Sequence, residues 1–148
     1  GTFQGEGHLD VRGYHQRTTA VRRNTLSEEE CAAFLAMLAE SERPLIYAGG
    51  GVINGNGADA LRAFASDLGI PVVTTLMGIG AVDTQHPPAM SMLGMHGAAF
   101  ANYAVDDCDF LFAVGARFDD RVAGVPAKFA RGARTTTYWA VEFVAQSR

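Results

Sequence analysis

The chain has 148 residues, 48% of them hydrophobic and 19% charged, with a formal net charge of −4. That is enough chain for one domain with a sizeable core, an ordinary composition for a soluble globular protein, and no electrostatic ground for a nucleic-acid or anionic-membrane partner. No apolar run approaches the roughly 18 residues of a membrane span, and no signal-peptide pattern opens the chain. Cys31 and Cys108 lack paired or metal-type spacing and stand in apolar contexts, which reads as reduced core thiols of a cytoplasmic protein.

Residues 1–24 show no periodicity; Gly, Gln, Arg, His and Thr dominate, with Val11 and Tyr14 as the only anchors. The stretch reads as an extended arm or interdomain linker, with a flexible terminus as the plainer alternative. Residues 25–148 form the domain. Ser27-Glu28-Glu29-Glu30 has the pattern of a capping box, and the three acids suit the positive end of a helix dipole. Cys31, Phe34, Leu35 and Leu38 follow as one apolar stripe of a helix that ends near Ser41, ahead of Pro44. Leu45 to Ala48 is a short apolar run closed by Gly49-Gly50-Gly51, as expected of a buried parallel strand entering a glycine turn. Leu61, Phe64, Ala65 and Leu68 mark a second helix stopped by Gly69. Val72 to Thr75 then forms a second strand, giving a strand–helix–strand unit with the spacing of a right-handed parallel crossover.

The triple glycine invites a dinucleotide reading. Gly49-x-Gly51-x-x-Asn54 lacks the third glycine of that fingerprint, and Thr74 and Thr75 stand where an acid would take a ribose hydroxyl. A standard NAD site is therefore not expected. The loop's amides can still meet a phosphate or a ring at close range, or the glycines serve only a tight turn. A second small-residue stretch, Leu76 to Ala81, leads to a polar turn over residues 83–88, where His86 beside Pro87-Pro88 reads as a solvated loop histidine. His96 differs: Gly94 and Gly97 lie close on either side and remove steric cover, so its ring or backbone can approach a ligand. With no second ligand at metal spacing, no metal site is expected.

Residues 98–105 should be helical, carrying Asn102 and Tyr103. Asp109 precedes the strand Phe110 to Val114 and is placed to cap or solvate its start. Immediately after that strand, Gly115 to Arg121 packs Arg117, Asp119, Asp120 and Arg121 into seven residues. At the carboxyl edge of an open α/β sheet such a loop is where ligands bind. Its charges can pair with one another or hold a ligand's anionic groups.

These stretches together resemble the central domain of the catalytic subunit of acetohydroxyacid synthase (acetolactate synthase), a thiamine-diphosphate-dependent enzyme family. Arg12-Gly13-Tyr14, Arg43-Pro44 through Gly51, Gly69-Ile70-Pro71 and Thr75-Leu76-Met77-Gly78 carry the likeness. Leu93-Gly94-Met95-His96-Gly97, Ala101 to Val105 and Gly115 to Val122 complete it, in order, from about residue 12 to about residue 133. The resemblance implies an α/β, doubly wound, Rossmann-like parallel sheet, the middle part of a three-domain enzyme, and FAD as the ligand of this part. It places the flavin against Gly50, against Thr75, Leu76, Met77 and Gly78, and against Leu93, Gly94, Met95 and His96. It further places it against Gly115, Ala116, Arg117, Phe118 and Asp119. Met95, Asp120 and Arg121 would face the channel to the active site, where inhibitors of the family bind.

The implied reaction decarboxylates pyruvate on thiamine diphosphate and transfers the two-carbon unit to a second 2-keto acid, in branched-chain amino acid synthesis. The flavin does no net redox chemistry in it. The implied partners are the flanking thiamine-diphosphate-binding domains of a homo-oligomer, with Mg2+ held there and not here. No Gly-Asp-Gly motif occurs, so this chain alone is expected to bind neither thiamine diphosphate nor metal, to contribute no catalytic residue and to make no acetolactate. After about residue 134 the likeness is lost. Residues 135–144 keep the β propensity of a strand, but Glu142 is the only acid where the family has an Asp-x-Asp turn for the adenosine part of FAD. That end reads as replaced or truncated. Two alternatives stay open: the same domain of a relative such as glyoxylate carboligase, or a stand-alone nucleotide-binding or scaffolding module.

Overall fold

The computed structural model describes residues 27–116, 129, 130 and 132–138, the last four by their backbone. The expected arm over residues 1–24 lies outside them, as do the loop residues Arg117 to Arg121. The elements are α1 (Glu28–Ala39), β1 (Pro44–Ala48), α2 (Gly50–Asn54), α3 (Ala58–Leu68) and β2 (Val72–Thr74). A 3₁₀ turn (Leu76–Gly78), β3 (Ala89–Met92), α4 (Ala99–Asp107), β4 (Phe110–Val114) and β5 (Arg134–Tyr138) complete the set. The five strands form one sheet in the order β3-β2-β1-β4-β5, with every neighbouring pair parallel. This is the doubly wound order expected, and its switch point falls between β1 and β4.

Alternation along the strands builds two cores. Ile46, Ala48, Val72, Phe110, Phe112 and Val114 turn to one face, with Phe34 of α1 and Leu61, Phe64 and Ala65 of α3. Leu45, Tyr47, Val73, Leu111 and Ala113 turn to the other, under Ala101 and Val105 of α4. Because both faces are covered, β1 and β4 read as continuous apolar runs rather than alternating ones. The Phe34 ring is fully buried, its centroid 4.7 Å from Phe112 and 5.8 Å from Phe110. A ring so enclosed contributes about 3–5 kcal/mol relative to alanine.

The helix starts and stops follow the local chemistry. Ser27 Oγ accepts from Glu30 N–H at 3.1 Å while Glu30 Oε2 accepts from Ser27 N–H at 2.9 Å, completing the capping box. Gly69 caps α3 with φ +66°. Two stripe residues depart from expectation: Leu35 and Leu68 are about half exposed. Leu35 lies to one side of the buried stripe of α1, and Leu68 is the last residue of α3. In α1, Met37 packs on the core beside Cys31 and Leu38 instead. His86 lies in the loop as expected but is only partly solvated: its Nε2 lies 3.3 Å from Ser66 Oγ of α3, and its Nδ1 is buried. Both thiols are free, but only Cys108 is buried. Burial, reinforced by the charge of Asp109, pushes it up to about 11. No helix among the described residues is long and apolar enough to cross a membrane.

Candidate functional site

All strands being parallel, the loops that leave β1, β2, β3 and β4 emerge at one edge, and the hydrogen bonds place them side by side. The β3 loop joins the β2 end through Leu93 N–H, which donates to Thr74 C=O at 3.1 Å. The β2 loop joins the β1 end through Thr75 N–H, which donates to Ala48 C=O at 2.9 Å. Thr75 also caps the 3₁₀ turn, its Oγ1 accepting from Gly78 N–H at 3.0 Å. The β1 loop joins the β4 loop by two bonds of 2.9 Å, Gly49 N–H to Val114 C=O and Gly51 N–H to Gly115 C=O.

The glycines make this row possible. A β-carbon on Gly51 would stand 2.7 Å from Gly115 Cα, and one on Gly49 would stand 2.7 Å from Ala116 N with the Gly115 oxygen closer still. A β-carbon on Gly50 would meet that of Met77 at 2.9 Å. Gly115 combines φ +58° with an approach of 2.5 Å from a β-carbon to Val52 N, so a side chain fails there on backbone angle and on space. At the switch point, then, Gly49, Gly51 and Gly115 serve close backbone packing between two loops. The triple glycine thus serves close packing at Gly49 and Gly51, with Gly50 facing the β2 loop.

Of the site residues expected from the sequence, Gly50, Thr75 to Gly78, Leu93 to His96, Gly115 and Ala116 come together along this edge. Arg117, Phe118, Asp119, Asp120 and Arg121 lie outside the described residues. The described edge is apolar and carries no formal charge: it offers small residues, backbone groups, the exposed imidazole of His96 and three large apolar side chains. Leu76 is 68% exposed, Met77 75% and Met95 80%. Side chains of this size in water at a sheet's binding edge form a surface suited to a flat, uncharged ring.

The sequence alone did not single out the partner of the β3 loop. Asn102, on α4, binds the backbone of Gly94 with Oδ1 and Nδ2 at 2.8 and 3.1 Å. A signal was present in hindsight: an asparagine inside a helix, where its intrinsic preference is poor. Arg62 was likewise missed; its guanidinium spans the carbonyls of Gly80 and Ala81 at 2.9 Å each and ties the stretch after the 3₁₀ turn to α3.

Residues 31–137 match the family described as thiamine pyrophosphate enzyme, central domain. The chain belongs to that family. Relatives it matches are named acetolactate synthases. It is 50% identical over 132 residues to the acetolactate synthase large subunit of Parasynechococcus marenigrum (strain WH8102), a match covering 89% of this chain and 20% of that protein. It is 45% identical over 126 residues to the probable acetolactate synthase large subunit of Methanocaldococcus jannaschii, covering 85% and 20%. It is 50% identical over 126 residues to acetolactate synthase 1, chloroplastic, of Oryza sativa subsp. japonica, covering 85% and 19%. This thiamine pyrophosphate central domain therefore spans about a fifth of the length of the curated relatives it matches.

Proposed function

We propose that the chain is the FAD-binding middle part of an acetolactate synthase. Its carboxyl edge would hold the flavin as a structural ligand, the parent working as a cytoplasmic homo-oligomer. The observation that carries this reading is the row of four loops at the switch point, apolar and uncharged over Leu76, Met77 and Met95. The described residues fit the group in kind: a flat ring against exposed methionines and leucine, with backbone amides close by. On the same reading Arg117 and Asp119 would take polar parts of the cofactor, and Met95, Asp120 and Arg121 would line the channel towards the active centre. That centre would be built by flanking domains that bind thiamine diphosphate and Mg2+, so the chain alone would turn over no pyruvate.

A titration of the purified chain with FAD, following flavin fluorescence and melting temperature together, tests the reading. Saturable binding with a rise in melting temperature is expected, since a ligand that prefers the folded state stabilises it. Asp119→Ala and Arg117→Ala should weaken it. A second reading draws on the chain's own end. The strand β5 forms with Arg134 to Tyr138 beside β4, yet the stretch from Thr135 to Val144 lacks the family's paired aspartates. A folded chain that binds no FAD would favour a scaffolding or nucleotide-binding module instead.

A further inference from the structure

The β3 loop ends in a four-residue turn. Gly97 N–H donates to Gly94 C=O at 3.0 Å, leaving Met95 and His96 as the two central residues, both exposed. Gly94 has φ +106°, and a β-carbon on Gly97 would stand 2.5 Å from the Leu93 carbonyl carbon. Turns at an exposed edge ordinarily complete their hydrogen bonds with water and open locally at little cost. In this one a side chain holds two of the backbone groups. Asn102 Oδ1 accepts from Gly94 N–H, and Asn102 Nδ2 donates to Gly94 C=O. One carboxamide thus takes both backbone groups of one residue, as two residues do in a hydrogen-bonded antiparallel pair. The orientation of the amide follows from chemistry alone, because the flipped form would set a donor against a donor and an acceptor against an acceptor.

Nothing in α4 itself calls for asparagine there. The helix begins at Ala99 with no side-chain cap from Ala98, and asparagine within a helix is less favourable than alanine because its side chain competes for backbone groups. Here the competing bonds go to the loop.

We propose that Asn102 is a positioning residue of the ligand site, fixing where Met95 and His96 stand by holding both backbone groups of Gly94. The inference rests on the flavin reading above and deepens it. A turn already ordered before the ligand arrives need not be ordered by it, so affinity is gained without a contact.

The test uses the full chain with FAD as probe, comparing Asn102→Leu, which keeps the shape and loses both bonds, with Asn102→Asp, which keeps only the acceptor. Asn102→Leu should weaken FAD binding about tenfold, the effect of two ordinary hydrogen bonds. It should also change the band shape of the bound flavin and speed hydrogen exchange at Gly94 N–H. The amides of β1 and β4 should stay protected, and the melting temperature without FAD should fall by no more than about 3–6 °C. Asn102→Asp should fall between. If Asn102→Leu does not fold, Asn102→Asp alone decides, with wild-type affinity and band shape counting against the proposal. Wild-type protein that binds FAD while both variants match it would overturn the role of Asn102 alone. Wild-type protein that binds no FAD would overturn the flavin reading, and this inference with it.

Discussion

The two edges of the sheet are closed by different chemistry. At the amino edge, where β1 and β4 begin, side chains do the closing. Asp109 accepts from the Ser41 hydroxyl, from Glu42 N–H at 2.8 Å and from Arg43 N–H at 3.0 Å. Arg43 Nε donates to Asp107 C=O at 2.8 Å, and Arg134 pairs with Glu40 at 2.7 Å. The Ser41 hydroxyl, helped by the two amides and the Arg43 charge, holds the Asp109 carboxyl down to about 2. Among the described residues of the carboxyl edge the same two strands are joined by glycine backbone with no side chain between them, and Leu76, Met77 and Met95 are left in water. The amino edge is complete as it stands. The carboxyl edge joins β1 to β4 by backbone contacts, which on the flavin reading leaves Leu76, Met77 and Met95 for the ligand.

The largest effect should come from putting a side chain where the carboxyl edge has none. Gly49→Val drives a branched carbon into the Gly115 carbonyl and Ala116 backbone, neither of which can turn aside as a side-chain tip would. Overpacking against fixed backbone should cost about 3 kcal/mol, lowering the melting temperature by about 6–12 °C. Calorimetry that finds the variant as stable as wild type would mean the two loops are not rigidly seated.

Asp109→Ala should have a smaller effect, since the groups it releases are near water. Its pH dependence is the sharper test. The ordinary carboxyl value is 3.8 and the folded one is about 2, so the unfolded chain takes up the proton first and acid favours unfolding. The stabilisation from Asp109 should be complete above about pH 4 and disappear as pH falls towards 2. Asp109→Asn should flatten that part of the profile, whereas a profile unchanged by the substitution would remove Asp109 from the closure of the amino edge.

The two edges were not equally legible in the sequence. Where packing repeats, pattern shows it: the apolar runs of β1 and β4, the capping box at Ser27 and the stop at Gly69 all stand as read. β3 did not show, because Ala89-Met90-Ser91-Met92 is half buried at the sheet margin, has no β-branched residue and carries Ser91 at φ +66°. α2 did not show either, since Gly50 and Gly51 are poor helix formers. Tertiary contact with Gly115 holds that turn in place. The loops of the site were visible as glycines closing apolar runs, and the resemblance to acetohydroxyacid synthase supplied the proposed ligand. The Asn102 clamp stayed hidden because its partner is backbone, eight residues away, and backbone partners leave no sequence pattern.

The smallest effect on stability, and the cleanest separation of the two edges, should come from Met77→Ser. The side chain is 75% exposed, so truncating it removes little buried area and should change the unfolding free energy by no more than about 0.5 kcal/mol. If a flavin ring lies over this edge, the same truncation removes contact area only in the complex, and FAD affinity should fall several-fold while the melting temperature without FAD stays put. The Asp109 variants should show the reverse, altered stability with FAD affinity retained. Equal loss of both properties in Met77→Ser would mean that Met77 supports the fold, and the division between a closed edge and an open one would then fail at one of its most exposed apolar side chains.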